Sequence, residues 1–291
     1  MEAAPISLSV IVPAYDESRR IGGSLREVSA YLALQPYTSE IVVVDDGSDD
    51  GTCDVVRELA PRLPVPLRLL SYRDNRGKGG ALKAGFEAAR GDTLLFADAD
   101  LSTPIEETRR LLDTLDSGYD FVIGSRKMPG AEIVVHQHPL REWMGRVFTA
   151  LVSWLIADVS DVTCGFKLYR GDVGRDLFGR LRIFDWSFDA ELLHIAGERG
   201  YRFAEVPVRW QDREGTKVKL GRDVARSLLG IARIRLHAAR GRYRDLFPAE
   251  PAQEIQLAAP DGDRGEESEP AAGPLLGSRP HGAKKGEPGA S

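Results

Sequence analysis

The hydrophobic residues of this chain fall into short, β-branched runs that alternate with longer stretches in which apolar residues recur at a helical spacing. Short segments rich in apolar residues, among them the unbroken runs 41–44 and 94–97, predict strands buried in a sheet. They lie near 8–12, 41–44, 67–71, 93–97 and 120–124. The stretches between them predict helices near 20–33, 52–62 and 79–89, and another that begins at Thr103 and Pro104. This alternation indicates an α/β fold with a mostly parallel central sheet and flanking helices.

The second half of the chain alternates less regularly. It predicts a loop over 125–139, a strand over 164–169 and a pair of strands around 201–210. The predicted helices lie near 140–157, 171–180, 187–199 and 222–243. The helix near 140–157 is heavily apolar but too short to span a bilayer. Two interpretations of it stay open: a helix of the core, or a helix that lies in a membrane interface.

Acidic and aromatic side chains follow three of the predicted strands. Asp98 and Asp100 follow the fourth strand. Asp45 and Asp46 follow the second, and Tyr15 lies just after the first. In an open α/β sheet, ligands bind beyond the carboxyl ends of the strands, so these groups are expected at one crevice. Two carboxylates one residue apart repel each other unless a cation lies between them, and their oxygen atoms suit Mg²⁺ or Mn²⁺.

Eight short motifs stand out along the chain. They are residues 9–17, 45–48, 76–81, 98–100, 124–126, 163–167, 188–191 and 215–219. Together they resemble the motifs of inverting family 2 glycosyltransferases with the GT-A fold, and more narrowly those of polyprenyl-phosphate glycosyltransferases. Within that group, the dolichyl-phosphate β-glucosyltransferases resemble the sequence best and the dolichyl-phosphate mannosyltransferases come next. The resemblance covers roughly 5–245 and implies one GT-A domain over 1–245, with a nucleotide-sugar half at about 5–126 and an acceptor half at about 127–245.

The resemblance also implies roles for individual residues. A nucleotide sugar would be held by Pro13, Tyr15, Glu17, Asp45, Asp46, Lys78 and Asp98. A Mg²⁺ or Mn²⁺ ion would be bound by Asp98 and Asp100, and Ser102 stands where some relatives have a third ligand. The catalytic residues would be Asp189, Asp100 and Arg126. The phosphate of the acceptor would be bound by Arg126, Lys167, Lys217 and Lys219.

The acceptor decides how much base catalysis such a site needs. A hydroxyl must lose a proton as it attacks, which calls for a positioned carboxylate such as Asp189. A phosphate monoester is already anionic at neutral pH, so it needs cations more than it needs a base. Arg126 suits this task because a guanidinium binds phosphate in a planar, bidentate way. A salt bridge to a nearby Asp is the competing interpretation for Arg126, and a solvated surface position is the competing one for the three lysines.

Composition and charge exclude some classes of protein. With 42% hydrophobic residues and a net charge of −5, the chain is typical of a globular domain, and its two cysteines indicate no disulfide framework. The basic, amphipathic helix near 222–243 is suited to anionic lipid. A nucleic-acid site is disfavoured because no nucleic-acid motif accompanies this helix and the overall pI is 5.7. The Pro- and Gly-rich segment 249–291 has no aromatic residue and predicts a disordered tail.

The sequence contains no recognisable signal peptide and no apolar run of transmembrane length. We therefore expect a cytoplasmic protein that contacts the cytoplasmic face of a membrane peripherally. The predicted activity is metal-dependent, inverting transfer of a hexose, expected to be glucose from UDP-glucose, onto a dolichyl or polyprenyl monophosphate.

Several alternatives stay open. One is mannose transfer from GDP-mannose, and another is a family 2 enzyme with a hydroxyl acceptor in polysaccharide or glycolipid synthesis. A nucleotidyltransferase is disfavoured because Pro13 and Tyr15 stand where such enzymes have a glycine-rich loop. A non-catalytic membrane scaffold on a decayed fold is disfavoured by the intact acids at the strand ends.

Overall fold

The computed structural model describes residues 5–135, 139–213, 220–247, 249 and 251–257. The strands β1 to β10 span Leu8–Ala14, Ser39–Asp45, Leu67–Ser71, Thr93–Ala97, Phe121–Ser125, Glu132–Val135, Phe166–Arg170, Phe203–Pro207, Arg209–Gln211 and Gln253–Ile255. The helices α1 to α8 span Ile21–Ala33, Thr52–Leu59, Lys78–Ala88, Thr108–Asp116, Pro139–Leu155, Gly171–Arg180, Phe188–Arg199 and Leu220–Ala239. Short 3-10 turns follow α2 at Ala60–Arg62 and precede α4 at Ile105–Glu107.

Eight of the strands form one sheet in the order β10-β3-β2-β1-β4-β7-β5-β8. The strands β3, β2, β1 and β4 are parallel to one another, and β5 is parallel to β8. Between these two parallel groups, β7 runs antiparallel to both β4 and β5. The mostly parallel sheet that the sequence predicts is therefore confirmed.

The central strands are buried on both faces, as their high content of apolar residues predicts. Successive residues of a strand point to opposite faces of the sheet. Ile11 and Val42 join a cluster of buried side chains that includes residues of α3, α6 and α7. Val10 and Val43 join a second cluster with residues of α1, α2 and α4. Helices thus cover both faces, and the carboxyl ends of the parallel strands remain accessible.

The structure differs from the prediction in the middle of the chain, where β6 and β9 form a separate pair. The predicted loop over 125–139 contains β6, which pairs with β9 in a separate parallel sheet of two strands. The strands predicted around 201–210 exist, but they do not pair with each other: β8 joins the main sheet beside β5. The strand β6 is mostly exposed, and its sequence does not show the alternation of apolar and polar residues that marks a half-buried strand.

A second correction concerns the predicted tail over 249–291. Within it, β10 pairs antiparallel with β3 at the edge of the main sheet. The Arg68 guanidinium binds both carboxylate oxygens of Glu254, at 2.7 and 3.2 Å, and this contact adds to the backbone pairing. The prediction that disorder begins at residue 249 is therefore wrong for 253–255. Residues 258–291 lie outside the described residues.

Two helices that the sequence associates with lipid are present with slightly different bounds. The stretch predicted as helical over 140–157 is α5, and the one predicted over 222–243 is α8. Val152 of α5 and Ile234 of α8 are buried in the core cluster, so each helix contributes one side to the fold. Across the described part of the chain, no helix combines the length and the apolar character needed to cross a bilayer.

We predict that Phe86→Ala destabilises the fold strongly. Phe86 of α3 is fully buried, and its ring stacks on Phe178 with the ring centroids 3.8 Å apart. Loss of this packing and the cavity left behind should lower the free energy of unfolding by about 3–5 kcal/mol, measured by urea denaturation. Leu34→Ala, at an exposed position after α1, should change it by less than about 0.5 kcal/mol. Equal losses from the two substitutions would contradict the placement of Phe86 in the core.

Candidate active site

The carboxyl ends of β2, β1 and β4 lie side by side and form the crevice that the sequence predicts. Ala14 and Asp45 are register partners at the ends of β1 and β2, and the next N–H, of Asp46, donates to the Ala14 carbonyl at 2.8 Å. Because β7 runs antiparallel beside β4, its first residue, Phe166, is paired with Ala97, the last residue of β4. The loop that enters β7 therefore meets the loop that leaves β4.

Asp98 and Asp100 lie on the loop that leaves β4. The Asp98 N–H donates to the Gly165 carbonyl at 3.1 Å, which ties this loop to the one that enters β7. The Ser102 N–H donates to Oδ1 of Asp100 at 3.0 Å, and Leu101 between them has a positive φ of 47°. A Cβ at position 165 would lie 1.8 Å from Oδ2 of Asp98. The position of the Asp98 carboxylate therefore requires a glycine at 165.

Cationic side chains approach both carboxylates. Lys78, at the start of α3, places Nζ 2.6 Å from Oδ1 of Asp98. Arg20 places Nη1 3.7 Å from Oδ2 of Asp100. Burial raises the pKa of Asp98, although Lys78 acts in the opposite direction. Burial acts to lower the pKa of Lys78. The nearby carboxylates, of which Asp98 has the largest effect, outweigh burial and raise this pKa above its usual value.

A second lysine–carboxylate pair lies on the predicted acceptor side. Lys167 of β7 and Asp189 in the first turn of α7 are both buried and form an ion pair, and Nζ of Lys167 also donates to the Val162 carbonyl at 2.9 Å. Burial raises the pKa of Asp189, and the charges of Lys167 and Lys78 oppose that shift. The ammonium groups of Lys78 and Lys167 both lie near the ring of Phe96, with Nζ at 4.9 and 5.9 Å from its centre.

Arg126 is held by an acid within the protein. Its Nε and Nη2 donate to the two carboxylate oxygens of Asp161 at 2.6 and 2.7 Å, and Nη2 also donates to Oγ1 of Thr163 at 3.0 Å. Asp161 is fully buried. Burial alone would raise the pKa of Asp161, but Arg126 outweighs it and lowers that pKa. The salt bridge that competed with phosphate binding is therefore present, and the predicted phosphate role of Arg126 stays a prediction.

Asp45 and Asp46 hold the loops around the crevice. Both carboxylate oxygens of Asp46 accept from backbone N–H groups, of Arg76 at 2.7 Å and of Gly77 at 2.8 Å. Burial raises the pKa of Asp46 to about 6, against the effect of these two hydrogen bonds. Oδ2 of Asp45 accepts from the Ser71 hydroxyl at 3.1 Å. Asp46 thus fixes the backbone of Arg76 and Gly77, next to Lys78, and so helps to position Lys78 in the site.

The predicted nucleotide-binding residues after β1 line the same crevice. Pro13 lies near the end of β1 and is half-buried, and the Tyr15 side chain is 40% exposed. The Glu17 N–H donates to Oγ1 of Thr52 at 2.8 Å, while its carboxylate pairs with Arg20. Tyr15 and Glu17 lie on the loop between β1 and α1, whereas Pro13 belongs to β1 itself.

Three residues of the site were not predicted: Arg20, Asp161 and Trp186. Arg20 follows Glu17 by three residues, a spacing at which side chains of a helical turn meet, so a charge-pair search would have found it. Asp161 stands two residues before the motif at 163–167, and its acidic side chain was the available signal. Trp186, whose ring centre lies 6.0 Å from Nζ of Lys78, gave no signal. The predicted Lys217 and Lys219 lie outside the described residues.

The carboxylates after β4 fit a hard divalent cation. Within the described residues, no group of three or more His, Cys, Asp or Glu side chains is placed to hold a metal. Asp98 and Asp100 supply partly exposed carboxylate oxygens. Mg²⁺ needs only one or two carboxylates when the phosphates of a substrate complete its coordination shell. This donor set therefore suits Mg²⁺ or Mn²⁺ that binds together with a diphosphate.

Comparison with known proteins identifies the family, because the model of Glycosyl transferase family 2 matches residues 9–178. The chain belongs to glycosyltransferase family 2. The matched segment runs from β1 into α6 and contains Asp45, Asp98 and Asp100, as well as Arg126 and Lys167.

Individual relatives and a solved structure agree with this assignment. The dolichyl-phosphate beta-glucosyltransferase ALG5C of Trichomonas vaginalis is 39% identical over 223 residues, 72% of this chain and 65% of that protein, so the match spans just under two thirds of that relative. The dolichyl-phosphate beta-glucosyltransferase of Drosophila melanogaster is 36% identical over 262 residues, 80% of this chain and 79% of that protein. Glucosyl-3-phosphoglycerate synthase from Mycobacterium tuberculosis, solved with Mn²⁺, UDP and glucosyl-3-phosphoglycerate, superposes with a TM-score of 0.57 at 17% identity, covering 79% of this chain and 80% of that one. The predicted GT-A fold is confirmed.

We predict that Gly165→Ala in this family 2 protein weakens metal-dependent nucleotide binding, because the added Cβ would collide with the Asp98 carboxylate. The dissociation constant of UDP in the presence of Mn²⁺, measured by isothermal titration calorimetry, should rise at least about tenfold. Gly197→Ala on α7, where a Cβ meets nothing within 4 Å, should leave it unchanged. A folded Gly165→Ala protein with undiminished UDP affinity would show that Asp98 has no part in binding.

Proposed function

We propose that this protein is a metal-dependent inverting glycosyltransferase that moves glucose from UDP-glucose onto a dolichyl or other polyprenyl monophosphate. The observation that carries the proposal is the arrangement of two lysine–carboxylate pairs around one aromatic ring. Lys78 pairs with Asp98, Lys167 pairs with Asp189, and both ammonium groups lie near Phe96. Cationic groups therefore stand between the loop suited to a metal–diphosphate and the start of α7, which supports a reaction between two anionic substrates.

The charges around Asp189 favour a phosphate acceptor over a hydroxyl. A hydroxyl acceptor calls for a carboxylate that is available to take its proton. Asp189 is instead buried in an ion pair with Lys167, and Lys78 adds further positive potential. A phosphate monoester brings its own negative charge and gains from neutralising cations. This pairing supports the lipid-phosphate proposal and argues against acceptors that depend on a strong base.

The proposed reaction is a single in-line displacement. An oxygen of the acceptor phosphate attacks the anomeric carbon of glucose, the bond from that carbon to the diphosphate oxygen breaks, and UDP leaves with the electron pair. An α-linked donor then gives a β-linked product, and no proton has to be removed from an ionised phosphate. Asp98 and Asp100 would hold Mg²⁺ or Mn²⁺, which when bound neutralises the charge that develops on the diphosphate.

On the donor side, the loops after β1 and β2 would hold the nucleotide. The exposed ring of Tyr15 offers a face on which a uracil can stack. Carboxylates such as Glu17 and Asp45 accept hydrogen bonds from a base N–H or from ribose hydroxyls. The solved neighbour that holds UDP with Mn²⁺ supports a uridine donor. The names of the relatives that transfer glucose to dolichyl phosphate support the sugar and the acceptor.

We expect label to enter the lipid phase from radiolabelled UDP-glucose but not from GDP-mannose, with detergent-solubilised polyprenyl phosphate as acceptor and Mg²⁺ present. Asp100→Asn should lower the rate at least about hundredfold, because charge stabilisation of the leaving group is lost. The matched change Asp113→Asn, on the exposed side of α4, should leave the rate unchanged.

Other outcomes of this assay are equally informative. Label from GDP-mannose alone would replace glucose by mannose in the proposal. A protein that binds UDP but labels no lipid from either donor would refute the lipid-phosphate acceptor and direct the search to hydroxyl acceptors.

We further propose that α5 and α8 contact the membrane that contains the lipid acceptor. Trp143 and Trp154 of α5 are 61% and 80% exposed, about three helical turns apart and thus on one side of the helix. Leu229 of α8, the helix beside α5, is 63% exposed. Arg146 of α5 is also largely exposed. Tryptophan together with arginine is typical of surfaces that lie at the boundary of anionic lipid.

We predict that Arg146→Glu weakens binding to vesicles that contain phosphatidylserine. A basic residue near an anionic surface contributes about 1 kcal/mol, so reversal of the charge should weaken the partition, measured by co-sedimentation, about tenfold or more. Trp154→Ser should also weaken it. Arg57→Glu on α2, an exposed arginine that like Arg146 pairs with an acid on its own helix, is the matched control. Equal effects at 57 and 146 would indicate non-specific attraction and contradict the proposed surface.

A further inference from the structure

Glu191 is a fully buried carboxylate that lies two residues beyond Asp189 on α7 and takes no part in the proposed chemistry. Its Oε2 accepts from the backbone N–H groups of Arg182, at 3.1 Å, and Ile183, at 2.7 Å. Its Oε1 accepts from the Tyr243 hydroxyl at 2.8 Å. Three donors offset the cost of removing this group from water. Glu191 therefore fixes the backbone at 182–183 to α7 and to the turn after α8.

The segment that Glu191 holds lies directly against the start of α3. The Gly79 N–H donates to the Phe184 carbonyl at 3.1 Å. A Cβ at Gly77 would lie 2.6 Å from the Phe184 carbonyl oxygen, and one at Gly79 would lie 2.9 Å from the Phe184 Cα. Backbone in contact this close cannot shift on one side alone. Lys78, which stands between these two glycines, therefore takes its position from Phe184.

Helix α8 holds the same segment at two more places. Nη1 of Arg233 lies 3.0 Å from Oδ2 of Asp185. A Cβ at Gly230 would lie 1.9 Å from Oγ of Ser187, so the helix backbone packs directly on the residue that precedes α7. Together with the bond from Tyr243 to Glu191, these contacts connect α8 to the whole stretch 182–187.

We propose that Glu191 is a positioning residue for the donor side of the site: through residues 182–186 it sets where Lys78 meets Asp98. Tyr243 donates a hydrogen bond to Glu191, so the turn after α8 is coupled to Asp98 at the carboxyl end of β4. The inference rests on the proposed function, because it takes Lys78 and Asp98 as groups that serve the nucleotide sugar.

A double-mutant cycle on UDP affinity tests this role, with the dissociation constant measured by calorimetry in the presence of Mn²⁺ at a temperature where every variant is folded. Glu191→Ala should raise the dissociation constant about tenfold, because a small displacement of Lys78 is costly. In the Lys78→Met background the same substitution should change it less than about twofold, since Glu191 acts through Lys78. Equal losses in both backgrounds would overturn the proposal.

Glu40→Ala is the matched control for lost stability. Glu40 is another buried carboxylate, near the amino end of β2, and its Oε1 accepts from the Ser9 hydroxyl and the Arg90 N–H, both at 2.7 Å. Its removal should lower the melting temperature but leave UDP affinity unchanged. A loss of UDP affinity as large as that of Glu191→Ala would mean that general destabilisation explains both, and would overturn the proposal.

Two further outcomes keep the test decisive. If Glu191→Ala does not fold, Tyr243→Phe takes its place in the cycle; it keeps the buried carboxylate, removes one donor and should cost about threefold in affinity. UDP binding does not require glucose transfer. Coupling between positions 191 and 78 in a protein that labels no lipid would therefore uphold the inference while refuting the proposed transfer. Wild-type protein that binds no UDP would refute the inference.

Discussion

The structure depends on one electrostatic constraint: three carboxylates gathered at one end of the sheet, buried or partly buried, are each matched by a cation of their own. Burying an unpaired charge is far more costly than burying a well-paired one. The pairs are Lys78 with Asp98, Lys167 with Asp189 and Arg126 with Asp161. Two of them depend on β7 and the loop that enters it. The reversed strand therefore does more than fill the sheet, because it and the loop that enters it each supply one member of an ion pair.

The sequence predicted the crevice well because its components are local. A β-branched run followed at once by acids identifies a strand and its carboxyl end together, so Asp45, Asp98 and Asp100 could be assigned to the crevice from the residue pattern alone. The pairings could not be predicted in the same way. Arg126 and Asp161 are 35 positions apart in the sequence, and Lys167 and Asp189 are 22 apart. Which cation meets which acid follows from the antiparallel register of β7, which composition and periodicity do not reveal.

The failed predictions share a physical cause. The missed strands β6 and β10 have only four and three residues and are largely exposed, so neither is long enough to show the alternation of a half-buried strand. Each becomes a strand by pairing with a neighbour that is distant in the sequence, β6 with β9 and β10 with β3. The buried carboxylate of Glu191 was similarly hard to interpret. Its role depends on the backbone at 182–183 and on a tyrosine 52 positions away in the sequence.

The pairing of β10 with β3 has a consequence for the edge of the main sheet. Without β10, the apolar strand Leu67–Ser71 would present its unpaired N–H and C=O groups at the open edge of the main sheet. Such an edge is a template for strands of other molecules. The short segment Gln253–Ile255, held by Glu254 on Arg68, occupies that template from within the same chain. Removal of these three residues would open that edge, so a short segment remote in the sequence completes the hydrogen bonding of the main sheet.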